Sequence, residues 1–438
     1  MSLKKSLSEN DLLSFNRIGV AYSGGLDSHV LLKLVTELNI DKKKIYAIHV
    51  NHGINPSANK WESHSKRTCE ELGVNFCSYK LDIPSNSTEE TMRYLRYGKF
   101  KEWFERGDVL LTAHHQQDQT ETILFRIFRG TGIKGLGGIP GKREEKGLLL
   151  IRPLLSIDKS EIFNYAKKLK LKWVEDSSNN NEDFSRNFIR NNIIPRLTSK
   201  WPSLNKALKF LSEESVEKNS LLNEIGNDDL KSFEAKERIQ LNKLNELSDL
   251  RKKNALRCWL ESHQINPSHK VFSEIFDSLI PAKDDSSPLI LLSGFGEKKW
   301  QLRKYNHEIF LLPEEASNSD ISNININWDM KKELNLPTGI LKVSKAGGRI
   351  SEDLLKNNIK VKGRIGGEKF CLEGISKSHS LKKFYQENNI PPWTRNRVPL
   401  IYLDTRLIII PNLWVSEEVL ASEGEKGIDL KWKDKLSF

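Results

Sequence analysis

The sequence predicts an α/β fold with a doubly wound parallel sheet, followed by a helical domain and a small α+β domain. From Phe15 to about Ala113, short apolar runs alternate with amphipathic segments, which is typical of consecutive strand–helix units. After Ser203 the apolar spacing becomes helical, and beyond residue 335 short alternating segments return together with glycine pairs. The chain has 438 residues, more than one hydrophobic core usually organises. The expected domains span residues 1–200, 203–312 and 335–438.

The first alternating region predicts four strands and four helices. The strands are Asn16–Tyr22, Lys44–Val50, Asn75–Asp82 and Asp108–Ala113. The helices are Ser28–Leu38, Asn59–Leu72, Glu89–Glu105 and Thr120–Arg129. Each helix carries apolar residues at three- and four-residue spacing, which gives it one face to pack against the sheet. After a Gly-rich stretch at 130–141, a further strand and helix are predicted at Leu148–Leu154 and Lys159–Leu169.

The rest of the chain is divided by composition. Residues 177–187 are polar and Asn-rich, which predicts a loop. Residues 203–278 have helical spacing and many Lys/Glu pairs, so they are expected to be all helical. Residues 313–334 contain few large apolar side chains and are expected to form a linker. The segment after this linker is expected to form the small α+β domain.

Composition restricts the class of protein. The N-terminus lacks the apolar stretch of a signal peptide, and no run of about 18 apolar residues predicts a membrane span. We therefore expect a soluble, cytoplasmic protein with no membrane partner. The four cysteines, which include no C-x-x-C pair, are expected to be buried, reduced thiols: Cys69, Cys77, Cys258 and Cys371.

The distribution of charge indicates a polyanionic partner. The net charge is +11, and residues 331–400 hold 15 Lys/Arg against 6 Asp/Glu. Clustered cations gain affinity for nucleic acids by releasing phosphate counterions. A solvated basic surface is the alternative interpretation.

One short segment carries the clearest chemical signal. A buried strand runs into Ser23-Gly24-Gly25-Leu26-Asp27-Ser28 and then into an apolar helix. Adjacent glycines let an anion approach the backbone, the start of a helix favours negative charge, and the two serine hydroxyls add donors. No G-x-x-x-x-G-K-[ST] or G-x-G-x-x-G is present, which weakens the kinase and dehydrogenase interpretations. An ordinary capped helix after a Gly turn is the alternative.

Two more motifs follow predicted strands. His49-Val50-Asn51-His52-Gly53 ends the second strand, and Thr112 to Thr122, which contains His114-His115-Gln116-Gln117-Asp118, ends the fourth and opens a helix. Ligands of open parallel sheets bind outside the carboxyl ends of the strands, so we expect all three motifs at one site.

These motifs resemble known families. The segment from Ser23 to Ser28 matches the S-G-G-x-D-S signature of the PP-loop ATP pyrophosphatases, which have an adenine nucleotide alpha hydrolase-like fold and adenylate their substrates. Further segments resemble the tRNA(Ile)-lysidine synthetase family within it, in that family's order, so the resemblance covers nearly the whole chain. They are Met92–Tyr97, Arg152–Leu155, Glu175–Asn179, Leu381–Phe384 and Ile390–Tyr402. One departure is Gln117, where family members often have an acidic residue.

The resemblance implies a reaction and its substrates. The family ligates the lysine ε-amino group to C2 of the wobble cytidine of an isoleucine tRNA with a CAU anticodon. An O2-adenylated intermediate forms, pyrophosphate and AMP are released, and the codon read changes from AUG to AUA. The implied partners are this tRNA, L-lysine and ATP, with Mg²⁺ as the expected metal. A homodimer is left open, because the sequence does not reveal an oligomeric state.

The resemblance also implies site residues. Asp27 is expected beside the ATP phosphates and a magnesium ion, and Asp118 and Glu121 are hypothesised to remove a proton or to bind lysine. Arg96, with Arg93 on the same helix face, is expected to contact phosphate, and two exposed arginines are the alternative. His114 and His115 could contact phosphate or orient Asp118 and Glu121, and histidines that only satisfy buried polar groups are the alternative. The expected ATP-binding residues are Ser23, Gly24, Gly25, Leu26, Asp27, Ser28, His49, His52 and His114.

Six basic residues are expected to contact tRNA. Arg186 and Arg190 follow the motif at Glu175–Asn179, and the others lie in the last domain: Lys382, Lys383, Arg395 and Arg397. In that domain cations interleave with Phe384, Tyr385 and Trp393, a mixture suited to phosphates and stacked bases. A packed turn with Trp393 in the core is the alternative.

Two other functions are alternatives to this ligase. A tRNA-thiolating enzyme would keep the phosphate loop but generally needs cysteines to carry sulfur, and no pair is suitably placed. A non-catalytic tRNA-binding protein would not require the intact phosphate loop and Asp118.

Overall fold

The computed structural model describes residues 3–8, 10–51, 53, 57–81, 89–145, 147–175, 185–233, 237–283, 286, 288–294, 298–344, 348–356, 359–371, 378–422, 425 and 427–436. The chain forms two compact units, Met1–Leu221 and Leu222–Phe438. Within the described residues, every helix is too short or too polar to span a bilayer.

A six-stranded sheet organises the first unit. Its strands are β1 Ile18–Ala21, β2 Ile45–Asn51, β3 Asn75–Lys80, β4 Val109–Leu111, β5 Lys142–Glu145 and β6 Leu148–Ile151. They lie in the order β3-β2-β1-β4-β6-β5, and all neighbours are parallel except β5, which pairs antiparallel with β6 at the edge. The chain progresses outward in opposite directions from β1 and β4, which makes their carboxyl ends the topological switch point where ligands bind.

Helices cover both faces of this sheet, as the alternation of strands and helices predicts. Val30 and Leu31 of the helix after β1 pack with Ile18 and Val20 on one face. Phe100 and Trp103 pack with Ile48, Leu110 and Leu150 on the other face. The helices are α1 Leu3–Ser8, α2 Leu26–Thr36, α3 Ala58–Leu72, α4 Glu89–Trp103, α5 Gln116–Phe128, α6 Ile133–Leu136, α7 Lys159–Lys168, α8 Ser185–Phe188 and α9 Ile194–Lys200. A π-helical turn, Ile189–Ile193, joins α8 to α9, and α10 Leu204–Ser232 crosses the boundary between the units in sequence.

The second unit begins with helices and a small antiparallel sheet. The sheet has the order β7-β10-β9-β8, formed by β7 Arg238–Gln240, β8 Leu289–Ser293, β9 Lys299–Tyr305 and β10 Glu308–Pro313. Trp259, Leu260 and Ile309 belong to the buried core between helices and sheet. The helices are α11 Leu241–Asn245, α12 Asp249–Ser262, α13 His269–Glu274, extended by a π-helical turn Ile275–Leu279, and α14 Glu314–Ser317.

The end of the second unit is mainly antiparallel sheet. Its strands are β11 Asn325–Trp328, β12 Leu334–Leu336, β13 Gly339–Ser344, β14 Ile350–Ser351, β15 Ile359–Lys362, β16 Lys369–Cys371, β17 Ser378–Ser380, β18 Leu400–Leu403, β19 Arg406–Ile410, β20 Trp414–Val415 and β21 Gly427–Asp434, with helices α15 Leu381–Glu387 and α16 Pro392–Arg395. Sheets form in the orders β11-β15-β18-β19-β20, β12-β13-β21-β14 and β16-β17. They share a core that includes Val361, Tyr385 and Ile409.

The predicted fold class is confirmed, with three local differences. The edge strand β5 lies just beyond the Gly-rich stretch and was not predicted. The expected linker 313–334 contains β11, which pairs with β15. The region 203–312, predicted to be mainly helical, also contains the β7–β10 sheet. The strands β5 and β11 lie at sheet edges, whereas β9 and β10 pair with each other across the two residues Asn306 and His307. Residues 177–184 of the Asn-rich loop are outside the described residues.

Candidate active site

The phosphate loop follows β1 and leads directly into α2. The hydroxyl oxygens of Ser23 and Ser28 lie 3.1 Å apart, Ser28 Oγ donates to the carbonyl of Gly25 at 3.0 Å, and the Gly25 amide donates to Ser23 Oγ at 3.3 Å. Gly25 is the N-cap of α2, and no side chain caps the helix. The first amides of α2 therefore point toward a site suited to an anion. Leu26, the first helical residue, packs against the apolar core below.

Gly24 is required by the shape of this loop. Its φ of +83° is a conformation that residues with a side chain rarely adopt, and a Cβ at this position would stand 2.9 Å from Ser65 Oγ. The Gly24 carbonyl accepts from the Val174 amide at 2.9 Å, which fixes the loop from the side opposite α2.

Two carboxylates and a histidine meet where β1 and β4 end. Asp27 is in the first turn of α2, and His115 is the N-cap of α5. His115 Nε2 lies 3.7 Å from Asp27 Oδ2 and 3.5 Å from Asp118 Oδ2, while Asp118 Oδ2 accepts from the His115 amide at 2.8 Å. Burial is the main cause that raises the pKa of Asp27, and the neighbouring His115 and Lys159 oppose the increase. Asp27 Oδ1 is buried and has no hydrogen-bond partner in the described part of the chain.

Glu121 and Arg190 form a bidentate ion pair beside this cluster. Arg190 Nε and Nη2 donate to the two Glu121 oxygens at 2.6 and 2.7 Å, and Nη2 lies 3.6 Å from Asp118 Oδ1. Burial raises the pKa of Glu121, and Arg190 counteracts the increase. The hydrogen bonds that Arg190 donates to Glu121 raise the pKa of Arg190. Arg190 is thus held by two carboxylates at the carboxyl end of the sheet, and its contact with tRNA stays a prediction.

The predicted histidines are placed to support the site. His49 is buried, its Nδ1 lies 3.0 Å from the Tyr22 carbonyl, and burial lowers its pKa. His114 Nδ1 lies 2.9 Å from Thr112 Oγ1, and burial lowers its pKa to about 4. Both rings are therefore neutral at pH 7, which does not favour contact with phosphate through charge. His52 lies outside the described residues.

The other arginines of the first unit that were predicted to serve the site lie on two helices. Arg96 is half-buried on α4, and the Arg93 guanidinium lies 5.4 Å from the centre of the Tyr97 ring. Arg186 is half-buried on α8, with its guanidinium 5.7 Å from the centre of the Phe125 ring. The roles of Arg93, Arg96 and Arg186 at the site stay predictions.

Lys159 is a further candidate residue that was not predicted from the sequence. It is the first residue of α7, it is half-buried, and its charge acts on Asp27. The sequence does contain a signal for a functional role, because a cation at the start of a helix opposes the helix dipole and is unfavourable there. Positions that violate a local rule are often functional.

In the second unit, two of the four predicted tRNA contacts are exposed and two are buried. Lys382 and Lys383 are exposed on α15. Arg395 is 9% exposed and donates to the Ile390 carbonyl at 2.8 Å. Arg397 is 1% exposed and pairs with Asp434. The expectation that Arg395 and Arg397 contact tRNA is therefore corrected: they hold the fold together from inside.

The aromatic residues near them are also internal. Phe384 and Tyr385 are buried, so their faces are not available to bases. Trp393 is 8% exposed, and its ring centre lies 5.3 Å from that of Phe310. The alternative interpretation of Pro391-Pro392-Trp393, a packed turn, is the one that the structure supports.

Comparison with known proteins matches three parts of the chain. The PP-loop domain matches residues 2–197, the TilS substrate binding domain residues 240–310 and the TilS substrate C-terminal domain residues 359–432. A tRNA(Ile)-lysidine synthase of Coxiella burnetii is 33% identical, covering 95% of this chain and 93% of the relative. One of Photorhabdus laumondii is 31% identical, covering 100% and 98%. One of Pseudomonas syringae is 35% identical, covering 90% and 88%.

Two solved structures are similar to parts of the chain. A U34-tRNA thiolase of Methanococcus maripaludis has a TM-score of 0.40 and 21% identity, covering 49% of this chain and 78% of the thiolase. A TilS C-terminal domain has a TM-score of 0.22 and 22% identity, covering 26% of this chain and 100% of the domain.

The loop, the sheet and the match to its first domain define an enzyme of the PP-loop ATP-binding class. Relatives that exceed 30% identity over nearly the full length narrow this class. The chain belongs to the tRNA(Ile)-lysidine synthase family, a family of ligases.

Proposed function

We propose that this chain ligates the lysine ε-amino group to C2 of the wobble cytidine of an isoleucine tRNA with a CAU anticodon, giving lysidine and changing the codon read from AUG to AUA. The observation that carries the proposal is the junction of the uncapped start of α2 with Asp27, His115 and Asp118 at the switch point of the sheet. The names of the full-length relatives support the choice of substrate.

The first step is adenylation of the cytidine. An oxygen bound to C2 is a poor leaving group, so O2 attacks the α-phosphorus of ATP, and the bond from that phosphorus to the pyrophosphate oxygen breaks. The amides of the first turn of α2 stabilise the negative charge that builds up on the departing pyrophosphate. Ser23 and Ser28 keep the loop in this shape before ATP arrives.

Asp27 fits the expected magnesium ion. Its Oδ1 is buried without a hydrogen-bond partner among the described residues, and hard carboxylate oxygens are the ligands that Mg²⁺ prefers. The described residues contain no group of three or more His, Cys, Asp and Glu side chains that could hold a metal, so phosphate oxygens and water would complete the coordination. When bound, Mg²⁺ supplies charge neutralisation on the phosphates.

The second step is attack by lysine. The neutral ε-amine attacks C2, the bond from C2 to O2 breaks, and AMP leaves with that oxygen, while the amine nitrogen gives up one proton and keeps the other. Asp118 is the proposed proton acceptor, because its side chain is 21% exposed and belongs to the cluster with Asp27 and His115. Glu121 is only 3% exposed, and both of its oxygens accept from Arg190, so it is proposed to position Arg190.

The second unit is proposed to bind the tRNA. Lys382 and Lys383 are exposed on one helix of a region rich in Lys and Arg, where the Lys383 ammonium lies 3.6 Å from Glu387 Oε1, and exposed ammonium groups bind phosphates.

The thiolation alternative is not favoured by the cysteines. In the first unit, burial raises the pKa of Cys69 to about 12 and also raises that of Cys77. A thiolate is the form that carries sulfur, so neither thiol is prepared for that role at neutral pH.

The proposal is tested by incubating the protein with ATP, Mg²⁺, lysine and unmodified isoleucine tRNA, then analysing the wobble nucleoside by mass spectrometry. We expect a lysine-dependent gain in mass that corresponds to replacement of O2 by the lysine amine. A nucleoside that stays unmodified, or that gains sulfur when a sulfur donor is added, would reject the proposal.

A further inference from the structure

The second unit contains two sheet regions that meet at one aromatic side chain. The sheet β7–β10 belongs to the first, the four-stranded region, and the strands β11–β21 with helices α15 and α16 form the second, the C-terminal region. Trp393 lies on α16, yet its ring centre is 5.3 Å from that of Phe310 on β10 and 6.1 Å from that of Tyr305 on β9. With Phe310 and Leu312 it forms a small buried core, separate from the main core of either region.

The four-stranded sheet packs on both of its faces. Ile309 and Leu311 of β10 belong to the core between the sheet and the helices of its own region. The alternate residues of the strand, Phe310 and Leu312, lie on the opposite face, because successive side chains of a strand point to opposite sides. Trp393 covers this second face. The C-terminal region is therefore a packing layer of the four-stranded sheet.

Two arginines, one from each region, cross this contact. The guanidinium of Arg303 on β9 lies 5.5 Å from the centre of the Trp393 ring, within the range of a cation–π attraction. In the other direction, Arg395 Nη2 donates to the Tyr305 hydroxyl at 3.2 Å. Apolar contact is not directional, whereas a hydrogen bond requires one geometry. These four residues and Phe310, which we call the Trp393 interface, therefore fix the angle between the two regions.

On the C-terminal side, the interface is connected to exposed cations. Arg395 Nε donates to the Ile390 carbonyl at 2.8 Å, and the Ile390 amide donates to the Tyr385 carbonyl at 2.8 Å. Tyr385 belongs to α15, the helix on which Lys382 and Lys383 are exposed. A short chain of hydrogen bonds thus leads from the interface to the helix that carries these lysines.

On the other side, the connection is a single strand. β9 carries Arg303 and Tyr305 of the interface and begins at Lys299, which is exposed together with the preceding Lys298. The strand is hydrogen-bonded to β8 on one side and to β10 on the other, so it moves with the whole sheet. Exposed lysines of this kind suit the phosphates of RNA. The interface therefore holds a pair of exposed lysines in each region at a fixed separation.

We propose that Trp393 and Arg395 are positioning residues for tRNA binding, which hold the two regions in one orientation so that the lysine pairs of both contact phosphates of the same tRNA. The proposal rests on the proposed function. When two sites are held at the right spacing, the second contact forms at high effective concentration and with little further loss of entropy. The segment 390–397 is then internal because it orients the RNA-binding surface without being part of it.

The test loosens the interface from the four-stranded region. Tyr305→Ala removes both the hydroxyl that accepts from Arg395 and a ring beside Trp393. Phe272→Ala is the matched control, because Phe272 is a half-buried aromatic residue of the same region that packs on the helix side of the sheet. In the full-length proteins we measure Kd for the intact isoleucine tRNA, and for its anticodon stem-loop and acceptor minihelix as separate RNAs. KM for tRNA and kcat of lysidine formation are measured with the intact tRNA.

We expect Tyr305→Ala to raise Kd and KM for intact tRNA about tenfold, because the second contact loses effective concentration. Kd for each fragment, and kcat at saturating tRNA, should stay within about twofold of the wild type, because each lysine pair is intact. Tyr305→Phe, which removes only the hydroxyl, should raise Kd for intact tRNA about threefold. Phe272→Ala should leave every tRNA constant unchanged even where it lowers the melting temperature.

An unchanged Kd for intact tRNA in Tyr305→Ala would overturn the inference. So would a loss of affinity for either fragment as large as the loss for intact tRNA, since that result indicates direct contact or unfolding of one region. An equal loss in Phe272→Ala would attribute the effect to stability and would also overturn it. If the wild type forms no lysidine, the proposed function fails, whereas the comparison of intact tRNA with its fragments still decides the role of the interface.

Discussion

Arg190 in the first unit and Arg397 in the second both pair with a carboxylate, yet their surroundings differ. Arg190 is 29% exposed, borders an open cleft and lies between Glu121 and Asp118. Arg397 is 1% exposed and also donates to the carbonyls of Ser319 at 3.0 Å and Thr338 at 3.2 Å. One guanidinium faces a space that a substrate can enter, and the other is enclosed by its own chain.

The difference separates two uses of the same side chain. A planar guanidinium with several donors suits both bidentate positioning at a site and the satisfaction of buried acceptors. Where all donors are directed to the protein, the pair contributes to stability. Where the pair borders a cleft beside other carboxylates, it organises charge for a ligand. The predictions below test this distinction.

Arg397→Met is expected to have the largest effect on stability. Removing the guanidinium leaves the buried end of Asp434 without its ionic partner and takes one donor from each of the Ser319 and Thr338 carbonyls, which should reduce the free energy of unfolding by about 3–5 kcal/mol. Chemical denaturation checks this value. For the molecules that remain folded, the KM for lysine in lysidine formation should not change.

Arg406→Met is the matched control for Arg397→Met. Arg406 pairs with Glu418 at the surface, where it is 64% exposed, so its loss should cost less than about 1 kcal/mol. Equal losses in the two variants would show that enclosure does not distinguish the arginines.

Asp27→Asn tests the nucleotide site and should have the largest effect on activity. The variant keeps the shape of the side chain but loses the charge beside the phosphates, so tRNA-dependent pyrophosphate release should fall by about a hundredfold to a thousandfold. The affinity for tRNA should stay within about twofold, because the phosphate contacts proposed for the second unit are intact. A parallel loss of tRNA affinity would assign Asp27 a structural role.

The two regions also differ in how far sequence predicts them. The phosphate loop was predictable because its chemistry is local: six consecutive residues supply the glycines, hydroxyls and carboxylate. The burial of Arg397 was not, because it depends on Ser319, Thr338 and Asp434, which the fold brings from distant positions.

The same reasoning applies to secondary structure. The strands and helices of the parallel sheet were predicted because each carries its own apolar periodicity. The strands β5 and β11 are short edge strands, and their pairing is decided by partners rather than by their own sequence. Lys159 was missed because one basic residue at a helix start has no motif around it.

Glu121→Gln tests whether Arg190 is positioned by its partner. The amide cannot accept two ionic hydrogen bonds, so Arg190 should lose its fixed position, and kcat/KM for lysine should fall about tenfold. Steady-state kinetics with varied lysine measures this change. A normal kcat/KM for lysine would show that the pair serves stability alone, as Arg397 does.

The double variant Lys382→Gln/Lys383→Gln tests the exposed cations of the second unit. It should weaken tRNA binding by about threefold to tenfold and reduce the slope of log K against log salt by up to about two. The double variant Lys431→Gln/Lys433→Gln makes the same charge change on the exposed side of β21 and is the control. Equal effects of the two double variants would attribute binding to net charge alone.

The stability of Asp27→Asn should show the smallest effect. Burial raises the pKa of Asp27, so the folded state favours the protonated carboxyl, and its ionised form is penalised as pH rises through that raised pKa. At neutral pH the variant should be more stable, by less than about 1 kcal/mol because the side chain is a third exposed. Below the ordinary Asp pKa the difference should vanish. Denaturation curves at pH 3 and 7 check the trend, and a larger difference at low pH would contradict it.

The central claim, that this chain adenylates the tRNA before lysine attacks, is tested most directly with ATP labelled at the α-phosphorus. Without lysine, label should appear on the unmodified isoleucine tRNA as pyrophosphate is released, and later addition of lysine should release it as AMP. ATP labelled at the γ-phosphorus should transfer nothing to the tRNA. Lysidine formation with no α-label ever on the tRNA, or pyrophosphate release that does not require tRNA, would contradict the account.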